Sequence, residues 1–101
     1  MDISKLMKQA QQMQGNMKKA EEELSKKEYE AKSSGDLIRV VVSGDLIIKS
    51  IEINDELVDV ENKDYLSDML IITVNDALKL AKDDKEKVMG SLTGGLKLPG
   101  M

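Results

Sequence analysis

The chain has 101 residues, with 34% charged and only 2% aromatic, no Cys, no His, no Phe and no Trp. One small domain follows, with a core of Ile, Leu, Val, Met and Ala; disulfides, thiol chemistry and histidine-based catalysis or metal binding are excluded. The net charge of −4 is unevenly spread. Residues 1–20 hold four Lys against one acid, residues 51–76 hold one Lys against eight acids, and residues 77–101 hold five Lys against three acids. Both ends are basic and the middle is acidic, so the distribution says more about partners than the sum does. No apolar run is long enough for a membrane span or a secretory signal, which makes the cytoplasm the default location.

In chain order, Ile3, Leu6, Ala10, Met13, Met17, Ala20 and Leu24 recur at spacings of three and four. This pattern predicts an amphipathic helix of about 22 residues, roughly 33 Å long. So long a helix is expected to project from so small a domain or to pack on a partner chain. Its opposite side carries Lys5, Lys8, Gln12, Gly15, Lys19, Glu22 and Lys26, with Gln11 and Lys18 beside them. That stripe is basic and amide-rich until Glu21-Glu22-Glu23; most such runs are solvated faces, and the functional alternative is a ridge facing phosphate.

Three strands are predicted next. Glu28 to Lys32 alternates polar and apolar, Ser33-Ser34-Gly35 marks a turn, and two β-branched runs flank Gly44-Asp45. A two-residue turn with positive φ at Gly44-Asp45 would set Val42 opposite Ile47, Val40 opposite Lys49 and Ile38 opposite Ile51. Tyr29 would then meet Val40, and Ala31 would meet Ile38. These positions form one apolar face of an antiparallel meander, with Glu30 beside Arg39 on the other. The other face is mixed and still carries Leu37, Val41, Leu46 and Ile48. Val41 and Ile48, opposite each other in this register, are candidates for a dimer interface.

Ile53 to Val58 reads as a turn with a short helical piece, and Asp59 or Asn62 can cap the next helix. That second helix is predicted from Lys63 to about Met89, with Leu66, Leu70, Val74, Ala77, Leu78 and Ala81 on one face. Tyr65, Met69 and Ile72 widen that stripe beyond what one sheet covers, so Met69 and Ile72 join the candidate interface. Asp83-Asp84 marks a break, and Gly90 a helix stop. Lys82, Lys85 and Lys87 make the end of this helix basic. The domain is expected to span residues 1–89, with 90–101 an irregular tail that folding does not require.

No constellation supports catalysis, and the acids between Asp55 and Asp64 lack the central Gly of a calcium loop. Neither a metal nor a cofactor is expected, nor a small-molecule substrate, nor a membrane. Three functional classes compete: a dimeric DNA-binding protein, a dimeric scaffold whose helices grip another protein, and weak membrane-surface binding by the first helix, which the lack of Trp and Phe, Gly15 and several Gln disfavour. For the first, the phosphate contacts are assigned to Lys5, Lys8, Lys18 and Lys19, helped by Lys82, Lys85 and Lys87.

Several motifs sharpen the choice. Met7-Lys8-Gln9-Ala10-Gln11-Gln12-Met13-Gln14, Met17, Ser34-Gly35-Asp36, Val40-Val41-Val42-Ser43-Gly44, Ile51-Glu52-Ile53, Asn75-Asp76-Ala77, Leu92-Thr93-Gly94-Gly95-Leu96 and Pro99-Gly100 occur in order. Together they resemble the YbaB/EbfC family of bacterial nucleoid-associated proteins, from end to end. The resemblance implies an α+β subunit of helix, three strands and helix (αβββα). It also implies a homodimer with helices protruding like tweezers, double-stranded DNA as partner, a place in the nucleoid, and effects on DNA conformation and gene expression.

Overall fold

The computed structural model describes residues 2–92. Helix α1 (Ile3–Lys26) starts where the Asp2 side chain accepts from the Ser4 N–H at 3.1 Å. It stops at Lys27, whose extended backbone leaves the helix while its N–H donates to the Leu24 carbonyl at 3.1 Å. Strands β1 (Glu28–Lys32), β2 (Ile38–Ser43) and β3 (Ile48–Ile53) form an antiparallel sheet in the order β1-β2-β3. Two 3₁₀ turns come next, Asp55–Leu57 and Val60–Asn62, capped by the side chains of Asn54 and Asp59. Helix α2 (Lys63–Leu92) closes the described chain. The expected αβββα order is therefore observed.

The sheet registers differ from expectation, for identifiable reasons. Between β1 and β2, Tyr29 faces Val42 and Ala31 faces Val40. This is a slip of two residues from the predicted pairing, and an even slip keeps every side chain on its face. The longer connection takes it up: Gly35 and Asp36 adopt left-handed φ values of 71° and 55°, and the Ile38 N–H bonds the Ser33 hydroxyl at 2.9 Å.

At the second hairpin the left-handed residue is Leu46, at φ 64°, not Gly44 or Asp45. Ser43 and Ile47 close the corner, with the Ser43 N–H on the Ile47 carbonyl and the Leu46 N–H on the Ser43 carbonyl, both at 2.9 Å. The loop thus holds three residues, Gly44 to Leu46. An irregularity comes directly after it: Val42 faces Ile48 while Val41 faces Ser50, so Lys49 is an extra residue in β3. Val40 then pairs with Ile51 and Ile38 with Ile53. The bulge has a clear physical use. It moves the Lys49 ammonium off the apolar face, where the expected register placed it opposite Val40, and brings Ile48 onto the face of Ile51. Val41 and Ile48 are accordingly not opposite each other.

The core sits between this face and α2. Ile38, Val40 and Val42 are fully buried there with Ala31, Leu57, Ala77 and Ala81, and Tyr29, Leu66, Met69, Leu70, Val74 and Leu78 pack around them. Burying each of the three β-branched strand residues contributes about 1.5–3 kcal/mol. Thr73, Ala77 and Ala81 are small and let the helix approach the sheet; the Thr73 hydroxyl is satisfied by the Met69 carbonyl at 2.8 Å.

Helix α2 runs through both expected interruptions. Asp83-Asp84 does not break it, because the Asp84 carboxylate is held sideways by Tyr29 and Lys27. Gly90 does not stop it, since an interior Gly costs only about 1 kcal/mol against Ala. Ser91 and Leu92 are helical as well; the rest of the expected tail, residues 93–101, lies outside the described residues.

The molecule is elongated, 70 × 27 × 17 Å, with a radius of gyration of 19.5 Å. A compact chain of this length would have about 13 Å. The cause is α1, which is exposed at every position from Asp2 to Asn16 and packs on the body through Met17, Ala20, Leu24 and Ser25.

Candidate nucleic-acid interface

The basic ridge of α1 is built from helical spacing alone. Lys5, Lys8 and Lys19 lie on one stripe across from Leu6, Met13, Met17 and Leu24, with Lys18 adjoining, and all four are exposed. Lys5 and Lys8 stand on the projecting half, while Lys18 and Lys19 stand where α1 returns to the body. Among the described residues none of the seven lysines assigned to DNA forms an ion pair, whereas Arg39, Lys27, Lys32 and Lys79 all do.

Helices α1 and α2 run antiparallel where they meet. A cleft of about 580 Å³ between them is lined by Asn16, Lys19, Ala20 and Glu23 from α1 and by Asp84, Lys87, Val88, Ser91 and Leu92 from α2. Lys19 and Lys87 are thus brought to one opening from opposite ends of the sequence. Lys85 lines a separate crevice with Glu21, Leu24, Ser25, Gly44 and Asp45. Lys82 is exposed and lines neither. Ser91, assigned by sequence to a tail, is a helical residue on the cleft wall.

Elsewhere the charges are balanced or acidic. Arg39 is held by Glu30 at 2.7 Å and Glu52 at 3.2 Å on the sheet face away from α2. These bonds push its guanidinium further toward the charged form, and the bond from Arg39 pulls the Glu30 carboxyl below its ordinary value. Asp55, Glu56, Asp59, Glu61, Asp64 and Asp68 gather at the start of α2. Asp64 lies twenty residues, roughly 30 Å of helix, from Asp84 and the cleft. The acidic block is therefore at the far end of α2 from the basic arm.

The residues proposed for self-association fall into two groups. Val41 is buried within the single chain, at 8% exposure, and Met69 is half-buried against the core. Ile48 and Ile72 are 46% and 62% exposed. A further apolar residue, Ile51, is 43% exposed on the inner face of β3, which α2 leaves open as it lies across β1 and β2.

Sequence reasoning missed one cluster. Asp84 accepts from the Tyr29 hydroxyl at 2.5 Å and from Lys27 Nζ at 3.3 Å. The signal was present: Ala77, Ala81, Asp84 and Val88 are spaced by four, three and four. A carboxylate on a buried stripe requires a partner.

The comparisons with known proteins agree with this architecture. The chain is 43% identical over 101 residues to nucleoid-associated protein DP1429 of Desulfotalea psychrophila, covering 100% of this chain and 95% of that protein. It is 44% identical over 100 residues to a nucleoid-associated protein of Pelotomaculum thermopropionicum, again covering 95% of the relative. The crystal structure of the uncharacterized protein HP0035 from Helicobacter pylori superimposes with a TM-score of 0.79 over 92% of this chain and 98% of the other, at 22% identity, which supports the fold. The sequence model of the YbaB/EbfC DNA-binding family matches residues 1–96, and the chain belongs to that family.

Proposed function

We propose that this chain is a nucleoid-associated protein that binds double-stranded DNA as a homodimer, with weak sequence preference, and shapes DNA conformation, nucleoid organisation and gene expression. The observation that carries the reading is the exposed, unpaired lysine ridge on a helix that projects from the body, remote from the acidic block. Lys5, Lys8, Lys18 and Lys19 are the contacts assigned to α1, with Lys82, Lys85 and Lys87 supporting them from α2. Ammonium groups on flexible stems read charge rather than base pattern, so affinity falls steeply with salt while sequence matters little. Gln9, Gln11, Gln12, Gln14 and Asn16 lie along the same arm, where amides are able to pair with adenine edges.

Homodimerisation is supported by the uncovered inner face of β3, where Ile48 and Ile51 stand exposed beside a buried core, and by Ile72 on the flank of α2. A two-fold dimer presents two arms, a tweezer-like grip on a duplex. The site is the nucleoid, hence the cytoplasm; among the described residues no helix is long and apolar enough to cross a membrane. A scaffold that grips another protein is the competing reading, favoured by the exposed Ile3, Leu6, Met7 and Met13 of α1. Gel shifts with duplex DNA over a salt series separate the two: binding that weakens with a steep log–log slope supports the DNA reading, and absence of binding at low salt overturns it.

A further inference from the structure

The projecting arm joins the body at one small root. Residue 44 has no space for a side chain: a Cβ there would lie 1.8 Å from the Leu24 carbonyl oxygen and 2.6 Å from its carbon. The Gly44 N–H donates to the Lys27 carbonyl at 3.0 Å, and Leu24 is the one fully buried residue of α1. So Gly44, which reads in sequence as a turn glycine, serves close approach instead. On the other side of the root, Asp84 takes the Tyr29 hydroxyl and the Lys27 ammonium. Burial, and then the bond and charge of Asp84, push the Tyr29 phenol up to about 12, so it stays a donor throughout the neutral range. Lys27 is thereby fixed twice, by its backbone to the hairpin corner and by its side chain to α2.

Beyond the root the arm acts as a lever. Lys5 is nineteen residues, roughly 28 Å of helix, from Leu24. A tilt of about 10° at the root would move Lys5 by about 5 Å, more than the 3.4 Å rise between phosphates on one strand, and would move Lys19 by only about 1 Å. We propose that Gly44 and Asp84 are positioning residues for DNA contact: by locking the last turn of α1 to the hairpin and to α2, they aim Lys5 and Lys8 at phosphates in step with Lys19. The proposal rests on the DNA-binding reading above.

The test combines geometry with binding. The chain has no native cysteine, so spin labels on Gln12→Cys and Ser67→Cys report the arm-to-body distance when labelled protein is diluted into unlabelled protein. Unaltered protein should give one narrow distance; Gly44→Ala and Asp84→Ala should shift or broaden it by several ångströms while far-UV circular dichroism is retained. Changing Lys5 and Lys8 to Ala should lower the DNA salt slope by about 0.9 for each phosphate no longer reached, and should lower it little in the Gly44→Ala background. Asp84→Ala keeps a good helix former on α2 while removing the Lys27 partner, and it decides the question if Gly44→Ala fails to fold. Unchanged distances in the folded variants, or a full Lys5/Lys8 effect in the Gly44→Ala background, would overturn the proposal. Unaltered protein that binds no DNA overturns the DNA reading and the role built on it, whereas the label distances still show whether the root is locked.

Discussion

Val40 and Ile51 are cross-strand neighbours on one face of the sheet, yet Val40 is fully buried and Ile51 is 43% exposed. Helix α2 covers β1 and β2 and stops short of β3, which is left with its apolar side open. An open face continuous with a core is where a second subunit gains most from burial. Ile51→Glu should therefore yield a folded monomer where the unaltered chain is a dimer in light scattering at micromolar concentration. A dimer that survives the substitution would place the interface elsewhere, and a monomeric parent chain would sink dimerisation altogether.

The Arg39 cluster makes a prediction about acid. Glu30 has its carboxyl pulled below the ordinary value near 4.5, first by the Arg39 bond. A carboxylate with a folded-state pKa below its unfolded one stabilises the fold above the unfolded value, and that contribution is lost as pH falls through the folded one. Both groups are solvent-exposed, so the effect is small and screened by salt. Thermal midpoints of the parent chain should thus drop slightly more steeply below pH 4.5 than those of Arg39→Met, whose Glu30 lacks its main partner. Parallel curves would show that the ion pair contributes nothing.

Lys49 tests the register. In a regular two-residue hairpin it would oppose Val40 on the apolar face, the place that Ile51 takes in the observed register. As the extra residue of a bulge it is exposed, so Lys49→Ser should alter stability by no more than about 0.5 kcal/mol in urea unfolding. A loss or gain several times larger would restore the regular pairing.

Much of this architecture is legible in the residues. The seam from Ile3 to Leu24, the alternation of β1 and the stripe from Leu66 to Ala81 each obey one period, and a period is a local property. The features that are not legible depend on neighbours distant in sequence. Gly44 is small because the Leu24 carbonyl presses on it, which a turn rule cannot see. Leu46 takes the left-handed conformation although its side chain disfavours it, so turn chemistry alone suggests too short a corner. The bulge at Lys49 follows directly on a three-residue corner, so a pairing counted from a two-residue turn is out of step along the whole of β3. At the candidate interface, charge segregation is readable as composition; the meeting of Lys19 with Lys87 is not, because it depends on two helix ends running antiparallel.

The central claim is that the lysines of the projecting arm hold DNA. It is tested most directly by measuring duplex affinity across a salt series for the unaltered protein and for the triple variant Lys5→Glu, Lys8→Glu, Lys19→Glu. If about six lysines of a dimer reach phosphates, the log–log slope of the unaltered protein should be near −5. The triple variant should lose binding while keeping its thermal midpoint, because all three side chains lie off the packed seam. A triple variant that binds with unchanged affinity and unchanged slope would contradict the account.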